Sequence, residues 1–307
     1  MTRSERLLES LFPPMLATLK KELPPGKWIL ELKYDGYRAV AAWVGRELAM
    51  WTRNRLDLTS RFPGVAAALQ TLAAKQVVVD GEIVALDRKG RPQFSQMGEG
   101  HEEFFAFDLL YLDGHDLRGV PIESRRLLLE QLLADPPPLV HLAERVVGKS
   151  DVMLRKAIDR GFEGLVAKQA GSAYEGRRST AWIKLKAARR QEMVIVGYAP
   201  RSDGADRVGA LLLAVADGSH FRFAGKVGTG FSEKTQAALW KALTRLAHGK
   251  PDDVVDAPRI SGATWVRPLL VAEVSFAEWT ADGRLRHPVF VGLRPDKAPS
   301  DCVREPG

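Results

Sequence analysis

The residue best placed for chemistry is Lys33, at the end of a predicted strand. It follows the apolar residues 28–30 and precedes Asp35-Gly36, a turn signal that predicts a hairpin with a second strand over residues 38–43. Burial or neighbouring cations can lower the pKa of a lysine amine and make it a nucleophile towards phosphorus or a carbonyl. These residues alone leave a solvated hairpin lysine as the alternative.

A second strand carries two lysines at alternate positions. In Trp182-Ile183-Lys184-Leu185-Lys186, alternation places Lys184 and Lys186 on one face, about 6–7 Å apart. Two cations at this spacing can bind phosphate, and their positive potential would help to keep a nearby Lys33 amine neutral. An exposed basic edge strand is the alternative.

Carboxylates and an aromatic ring accompany other apolar runs. Glu82 lies within residues 77–86, where burial without a partner would be costly, whereas Asp80 could form a turn or a cap. Glu163 heads the short strand 162–168. Phe107 lies in the strand 104–112, where a ring can stack on a purine or simply belong to the core.

The composition indicates the class of protein and the kind of partner. The 307 residues, 45% hydrophobic and 27% charged, suit one large or two ordinary globular domains. The single cysteine, Cys302, excludes an intrachain disulfide framework and a Cys-ligated metal site, and it fits a reducing cytoplasmic location. We find no secretory signal and no apolar run of membrane length. The net charge of +7 favours an anionic partner.

The remaining patterns predict the scaffold. Helices are expected after Pro63 through Leu72, over 123–133, over 150–160 and over 232–246. Short strands are expected over 192–199, 209–215, 221–226 and 269–276. Several short strands with one helix are compatible with a small Greek-key barrel, of which the OB-fold is one.

Taken in order, these segments resemble the sequence motifs of the ATP-dependent DNA ligases, members of the covalent nucleotidyltransferase superfamily. The resemblance is greatest to the ligase module of bacterial non-homologous end-joining ligases, and it extends from about Pro13 to Lys297. The segments that carry it are Lys-x-Asp-Gly-x-Arg at 33–38, Thr-Arg-Asn at 52–54, Asp-Gly-Glu at 80–82, Phe-Asp at 107–108, Glu-Gly-Leu-Val-Ala-Lys at 163–168, 182–186 and Arg-x-Asp-Lys at 294–297.

The resemblance implies an α+β protein with two domains. Residues 1–188 would form an adenylation (nucleotidyltransferase) domain of antiparallel sheets flanked by helices, and residues 189–307 a C-terminal OB-fold β-barrel. Residues 187–191 would form the linker, with a hinge near Arg189 to Gln191 that lets the small domain close on ATP and then admit DNA. We expect a minimal ligase core, either a complete small enzyme or an excised module.

The resemblance also assigns roles to individual residues. Lys33 would attack the α-phosphate of ATP, Arg53 would contact the ribose, Phe107 would stack on the base, and Lys168 would face phosphates or DNA. The residues with catalytic roles are Lys33, Arg38, Lys184, Lys186, Arg294, Asp296 and Lys297, of which the last three orient the β and γ phosphates. The nucleotide-binding residues are Glu31, Leu32, Lys33, Arg38, Arg53, Glu82, Phe107, Glu163, Lys184 and Lys186. The metal ligands are Glu163 and Glu82, and the DNA-binding residues are Arg53, Arg55, Lys168 and Arg286.

The implied activity is sealing of 5′-phosphate/3′-hydroxyl breaks in duplex DNA through a lysine–AMP intermediate, in repair or end joining. ATP and Mg²⁺, with Mn²⁺ as a substitute, are the expected cofactors. The expected partners are nicked or broken DNA and end-joining repair proteins, and we expect a nucleoid-associated, cytoplasmic monomer that binds no membrane. The alternatives are an RNA ligase, a GTP-using capping guanylyltransferase, or a non-catalytic module that binds DNA ends.

Overall fold

The computed structural model describes residues 1–11, 13–186, 189–201 and 207–305. The chain divides into two compact units, Met1–Ala187 and Ala188–Gly307. Ala187 and Ala188 of the predicted linker lie outside the described residues. A strand begins at Arg189, so the rest of the predicted linker is regular structure within the second unit.

The N-terminal unit combines helices with many strands. Its helices are α1 (Arg3–Ser10), α2 (Pro63–Leu69), α3 (Ile122–Leu132) and α4 (Ser150–Asp159). Its strands are β1 (Leu16–Leu19), β2 (Trp28–Lys33), β3 (Tyr37–Val44), β4 (Glu47–Trp51), β5 (Gln76–Ala85), β6 (Glu102–Leu112), β7 (His115–Asp116), β8 (Val140–Leu142), β9 (Arg145–Val146), β10 (Gly164–Gln169) and β11 (Arg178–Lys186).

These strands form two sheets. Sheet I has the order β1-β11-β10-β2-β9, and sheet II has the order β4-β3-β5-β6-β7 with β8 paired to β6. The β10–β11, β10–β2, β3–β5 and β5–β6 pairs are antiparallel, whereas β1–β11 and β6–β8 are parallel. The predicted α+β class, with mainly antiparallel sheets and few helices, is confirmed.

The predicted lysine hairpin is wrong, because β2 and β3 belong to different sheets. Gly36 lies against sheet II, where a Cβ atom would be only 2.1 Å from the carbonyl oxygen of Ile83. The Asp35-Gly36 turn therefore carries the chain from sheet I to sheet II. The same dipeptide at Asp113-Gly114, with φ angles of 42° and 97°, does close a hairpin between β6 and β7.

Alternation along β2, β10 and β11 gives sheet I one apolar and one polar face. Leu32, Leu165 and Ile183 belong to a core that includes Ala157 of α4. Burial of each such leucine or isoleucine contributes about 2 kcal/mol. The neighbouring positions on the same strands must then face the other side, where the predicted site residues lie.

The C-terminal unit is built on sheet III, with the order β15-β14-β13-β12-β16-β19. Its elements are β12 (Arg189–Pro200), β13 (Val208–Asp217), β14 (His220–Val227), α5 (Glu233–Thr244), β15 (Val254–Val255), β16 (Thr264–Phe276), β17 (Glu278–Trp279), β18 (Leu285–Arg286) and β19 (Val289–Leu293). The side chain of Ser232 caps α5 by accepting a bond from Thr235 N at 3.1 Å. Within the described residues β15 and β19 remain the sheet edges, so the expected barrel is an open sheet here.

No helix in the described part of the chain has the length and apolar character needed to cross a membrane.

Candidate active site

Three adjacent strands of sheet I place two lysines on either side of one carboxylate. Lys33 and Lys186 are both in register with Gly164, so they flank the start of β10. The Glu163 carboxylate accepts a hydrogen bond from Lys33 through Oε2, and its Oε1 lies 2.5 Å from Lys186 Nζ. We call Lys33, Glu163 and Lys186 the reactive cluster.

Gly164 allows this close approach. A Cβ atom on it would lie 2.0 Å from the carbonyl oxygen of Leu185, so a side chain would force β10 and β11 apart. The strands hold their register only with glycine here, and that register fixes both lysines.

The electrostatics of the reactive cluster favour the charged forms of Lys33 and Glu163. Burial lowers the pKa of Lys33, and so does the charge of Lys186, but the carboxylates of Glu163 and Glu82 together raise it, and the net shift is upward. Burial raises the pKa of Glu163, yet Lys186 and Lys33 together bring it well below its usual range. Lys186 shifts the pKa of Lys33 in the direction expected from the sequence, but Glu163 and Glu82 together outweigh burial and that cation, so the net shift favours the charged amine.

A second group of charges lies on the same face. Lys168 Nζ is 2.8 Å from Glu31 Oε2, and Arg126 from α3 donates to Glu31 Oε1 at 3.2 Å and to the carbonyl oxygen of Ala143 at 2.8 Å. We call Glu31, Lys168 and Arg126 the support cluster. Lys168 is only 1% exposed, a position that does not suit the DNA contact expected from the sequence.

Phe107 connects the support cluster to sheet II. Lys168 donates to its carbonyl oxygen at 2.6 Å, and the Phe107 ring meets Trp182 edge-on with centroids 6.0 Å apart. The Arg38 guanidinium lies 5.5 Å from the Phe107 centroid. The residue as a whole is half-buried.

Arg38 is fixed by a buried network. It donates to the Asp80 carboxylate at 2.9 and 2.5 Å and to the carbonyl oxygen of Met15 at 2.5 Å. Tyr174 donates to Asp80 at 2.6 Å and accepts from Met15 N at 3.0 Å. Asp80 is thus a mid-strand partner of Arg38, and its interpretation as a turn or cap residue is wrong. Tyr174, in a loop after β10, gave no sequence signal.

The other predicted residues of this unit have varied surroundings. Glu82, opposite Arg38 in the β3–β5 ladder, raises the pKa of both Lys33 and Arg38. Lys184 is half-buried and opposite Val166. The Leu32 side chain lies in the apolar core, which leaves only its backbone for a ligand.

The three predicted DNA-binding arginines differ in exposure. Arg53 is half-buried after β4, and Arg55 is exposed, with its guanidinium 3.0 Å from Glu9. Arg286, in the C-terminal unit, is exposed and donates to Glu278 at 2.7 Å.

The Arg-x-Asp-Lys segment forms its own ion network in the C-terminal unit. Arg294 donates to Asp296 at 2.9 and 2.8 Å and to Glu273 at 2.7 Å, and all three are buried. Lys297 Nζ lies 3.3 Å from Glu192. A phosphate bound by Arg294 must therefore compete with Asp296 and Glu273.

Comparison with known proteins agrees with this geometry. The family model described as the ATP dependent DNA ligase domain matches residues 14–186, and the model for the ATP dependent DNA ligase C terminal region matches residues 204–297. The chain belongs to the ATP-dependent DNA ligase family. The motif order in the sequence had predicted this membership, which is confirmed.

Solved structures and curated relatives point to the same branch of these ligases. The structure of a mycobacterial DNA ligase D complexed with ATP is 40% identical, covers 96% of this chain and 98% of its own, and has a TM-score of 0.70. The ligase domain of Mycobacterium tuberculosis LigD is 39% identical with a TM-score of 0.53, over 96% of this chain and 98% of its own. The multifunctional non-homologous end joining protein LigD of Pseudomonas aeruginosa is 40% identical over 95% of this chain, which spans 36% of that relative.

Proposed function

We propose that this ATP-dependent ligase seals 5′-phosphate/3′-hydroxyl breaks in duplex DNA through an AMP bound covalently to Lys33. The observation that carries the proposal is the reactive cluster, where strand register holds the Lys33 amine against Glu163 and beside Lys186. An amine held at a strand end by two neighbouring strands is preorganised for attack on a phosphorus atom.

The first step needs a neutral amine and stabilisation of the charge that develops on the phosphoryl oxygens. Lys186 and Lys184 share one face of β11 and can supply positive charge at the triphosphate. Only the neutral amine can attack, so Lys33 must release its proton to solvent before the N–P bond forms. Attack on the α-phosphorus forms the N–P bond and expels pyrophosphate.

The nucleoside would be held by residues of both sheets. We assign base stacking to Phe107, which is half-buried, and ribose contacts to Glu82 and Arg53. Arg38 stands beside Phe107 and is fixed by Asp80 and Tyr174, so it would hold its position when the nucleotide binds.

The carboxylates near Lys33 fit a Mg²⁺ ion that is shared with the substrate. Among the described residues no three His, Cys, Asp or Glu side chains form a metal site by themselves. Mg²⁺ is commonly held by one or two carboxylates together with phosphates and waters, a role that suits Glu163 and Glu82. When bound, the ion would neutralise charge on the triphosphate, and Mn²⁺ could replace it.

The later steps transfer AMP to DNA. The 5′-phosphate at the break would take AMP from Lys33, and the 3′-hydroxyl would then attack that phosphate and release AMP. We assign Arg53, Arg55 and Arg286 to DNA and Arg294, Asp296 and Lys297 to the β and γ phosphates of ATP.

The names of the curated relatives support a role of this protein in DNA end joining. We propose that the protein acts as a monomer on broken DNA, alongside end-joining repair proteins, within the bacterial nucleoid. These relatives are multifunctional, and this chain corresponds to less than half of their length.

The test is a two-stage labelling experiment. The protein is incubated with α-labelled ATP and Mg²⁺, freed of nucleotide, and given duplex DNA with a single nick. We expect label on the protein, followed by its release as AMP while a sealed strand appears. Matched arms with GTP and with a nicked RNA duplex test the capping-enzyme and RNA-ligase alternatives. Absence of label with either nucleotide would favour a non-catalytic end-binding module.

A further inference from the structure

Lys168 is a fully buried lysine that joins the two sheets of the N-terminal unit. Its strand, β10, belongs to sheet I, while the carbonyl oxygen that it binds at 2.6 Å belongs to Phe107 of sheet II. We propose that Lys168 is a positioning residue for ATP. It holds Phe107 at the position where the ring stacks on the base, and it holds the Glu31 carboxylate that it contacts. This inference rests on the proposed function, because it assigns Phe107 to the base.

The contacts of Lys168 converge on predicted nucleotide-binding residues. Its ammonium donates to the Phe107 carbonyl oxygen and lies 2.8 Å from the Glu31 carboxylate. It also lies 4.9 Å from the Phe107 ring centroid and 4.5 Å from that of Trp182. Both distances are within cation–π range. A single amine thus fixes the backbone and the ring of Phe107 together.

A role in stability alone does not account for a lysine at this position. Taking an ammonium group out of water costs several kcal/mol, and replacing a buried ion pair by apolar side chains of similar volume is often neutral or stabilising. An unbranched apolar side chain such as methionine could occupy much of the same volume. What it could not provide is a directed bond to the carbonyl oxygen of Phe107.

The rest of the support cluster makes this test feasible. Glu31 also accepts from Arg126 at 3.2 Å, so removal of Lys168 leaves this buried carboxylate with a cationic partner. The main loss in Lys168→Met is therefore the tie between the two sheets at Phe107. We expect the variant to fold and to bind ATP weakly.

The experiment measures single-turnover adenylylation with α-labelled ATP over a range of ATP concentrations. For Lys168→Met we expect the half-saturating ATP concentration to rise about tenfold, which is the order of one lost charged hydrogen bond. The rate at saturating ATP should stay within about threefold of wild type, because the reactive cluster is unchanged.

Two controls separate positioning from general stability and from DNA binding. Leu69→Ala removes a fully buried side chain of the sheet II core, so it should lower the melting temperature without changing the half-saturating ATP concentration. Sealing by the pre-adenylylated Lys168→Met protein should need the same concentration of nicked DNA as wild type.

The outcomes distinguish this inference from the proposed function. If wild type is labelled and Lys168→Met has wild-type ATP dependence, the inference fails and the proposed function stands. It also fails if Leu69→Ala shifts ATP dependence equally, if the saturated rate falls as much as the affinity, or if the DNA requirement rises while ATP dependence does not. An unlabelled wild type overturns both.

A second pair of variants covers the case in which Lys168→Met does not fold. The double variant Lys168→Met/Glu31→Gln has no buried carboxylate that depends on Lys168, so its fold should be preserved. Its half-saturating ATP concentration should exceed that of Glu31→Gln several-fold. Equal values would show that Lys168 does not act through Phe107, and the inference would fall.

Discussion

The reactive cluster and the support cluster share strand β2 of sheet I, where Lys33 and Glu31 occupy successive positions on one face, although Arg126 joins the support cluster from α3. Each has a carboxylate between two cations. In the reactive cluster the Lys33 and Lys186 side chains are 22% and 11% exposed, whereas Lys168 and Arg126 are 1% and 4% exposed. The support cations also bind backbone carbonyl oxygens of Phe107 and Ala143.

This difference shows how one sheet face can hold a reactive and a structural ion group together. Backbone acceptors do not leave when a ligand arrives, so the support cluster can keep its geometry. Lys33 and Lys186 both contact the side chain of Glu163, which a substrate phosphate can replace. The comparison predicts losses of adenylylation rate from the reactive cluster, and from the support cluster a loss of stability at Arg126 and of ATP affinity at Lys168.

The largest effect is expected from Glu163→Gln. The amide cannot neutralise both lysines or hold a cation as a carboxylate does, so the rate of adenylylation should fall about 1,000-fold. The measurement is the single-turnover rate with α-labelled ATP. Glu144→Gln is the matched control, since Glu144 forms an exposed pair with Arg160 and its loss should leave the rate unchanged. A rate loss below tenfold for Glu163→Gln would contradict a role of Glu163 in adenylylation.

Gly164→Ala should disturb the reactive cluster without removing any charge. Its new Cβ atom would meet the Leu185 carbonyl oxygen, and a displacement of about 1 Å at the lysines costs about 100-fold in rate. Gly119→Ala, with no atom within 4 Å of the new Cβ, should be silent in the same assay. Equal rates for the two variants would mean that strand register does not position Lys33.

Arg126→Met tests the support cluster through stability. The variant loses bonds to Glu31, Glu130 and Ala143, and the free energy of unfolding should fall by about 3 kcal/mol. Denaturant unfolding provides the measurement. Arg155→Met breaks an exposed pair with Asp151 and should change stability by less than about 0.5 kcal/mol. Equal stability of these two variants would contradict the structural assignment of Arg126.

The smallest effect is expected from Tyr34→Phe, next to Lys33 in sequence. Burial raises the pKa of Tyr34 to about 12, although a backbone hydrogen bond from Glu144 lowers it. The folded state thus keeps the phenol protonated, and its contribution to stability declines only as the pH rises from about 10 towards 12. The rates of variant and wild type should run parallel between about pH 6 and 9. A divergence there would give the phenol a role in proton transfer.

Local patterns predicted the elements of the fold better than their pairing. The strands around Lys33, Phe107 and Lys186 follow from apolar alternation, and the helix at Glu233–Thr244 from its cap and spacing. The sequence patterns did not predict the sheet to which each strand belongs, as Asp35-Gly36 and Asp113-Gly114 demonstrate. The same two turn residues can connect strands of different sheets or close a hairpin. Contacts with residues that are distant in the chain decide which occurs, and here Gly36 lies against Ile83.

The candidate site was predictable where its residues lie in recognisable motifs. Lys33, Glu163 and Lys186 were singled out from the sequence and do lie together. Arg126 and Tyr174 gave no signal, because their partners are far away in the chain. Asp80 could have been identified, since the argument from burial that selected Glu82 applies equally to a carboxylate that is fully buried in the same strand.

The most direct test of this account is to locate the AMP after the first step. Wild-type protein is adenylylated with ATP, digested and examined by mass spectrometry under conditions that preserve the phosphoramidate bond, with Lys33→Ala and Lys33→Arg in parallel. We predict a single adduct on Lys33 and none in either variant. An adduct on Lys186 or Lys184, or an adduct that persists in Lys33→Ala, would contradict the assignment of Lys33 as the nucleophile of the reactive cluster.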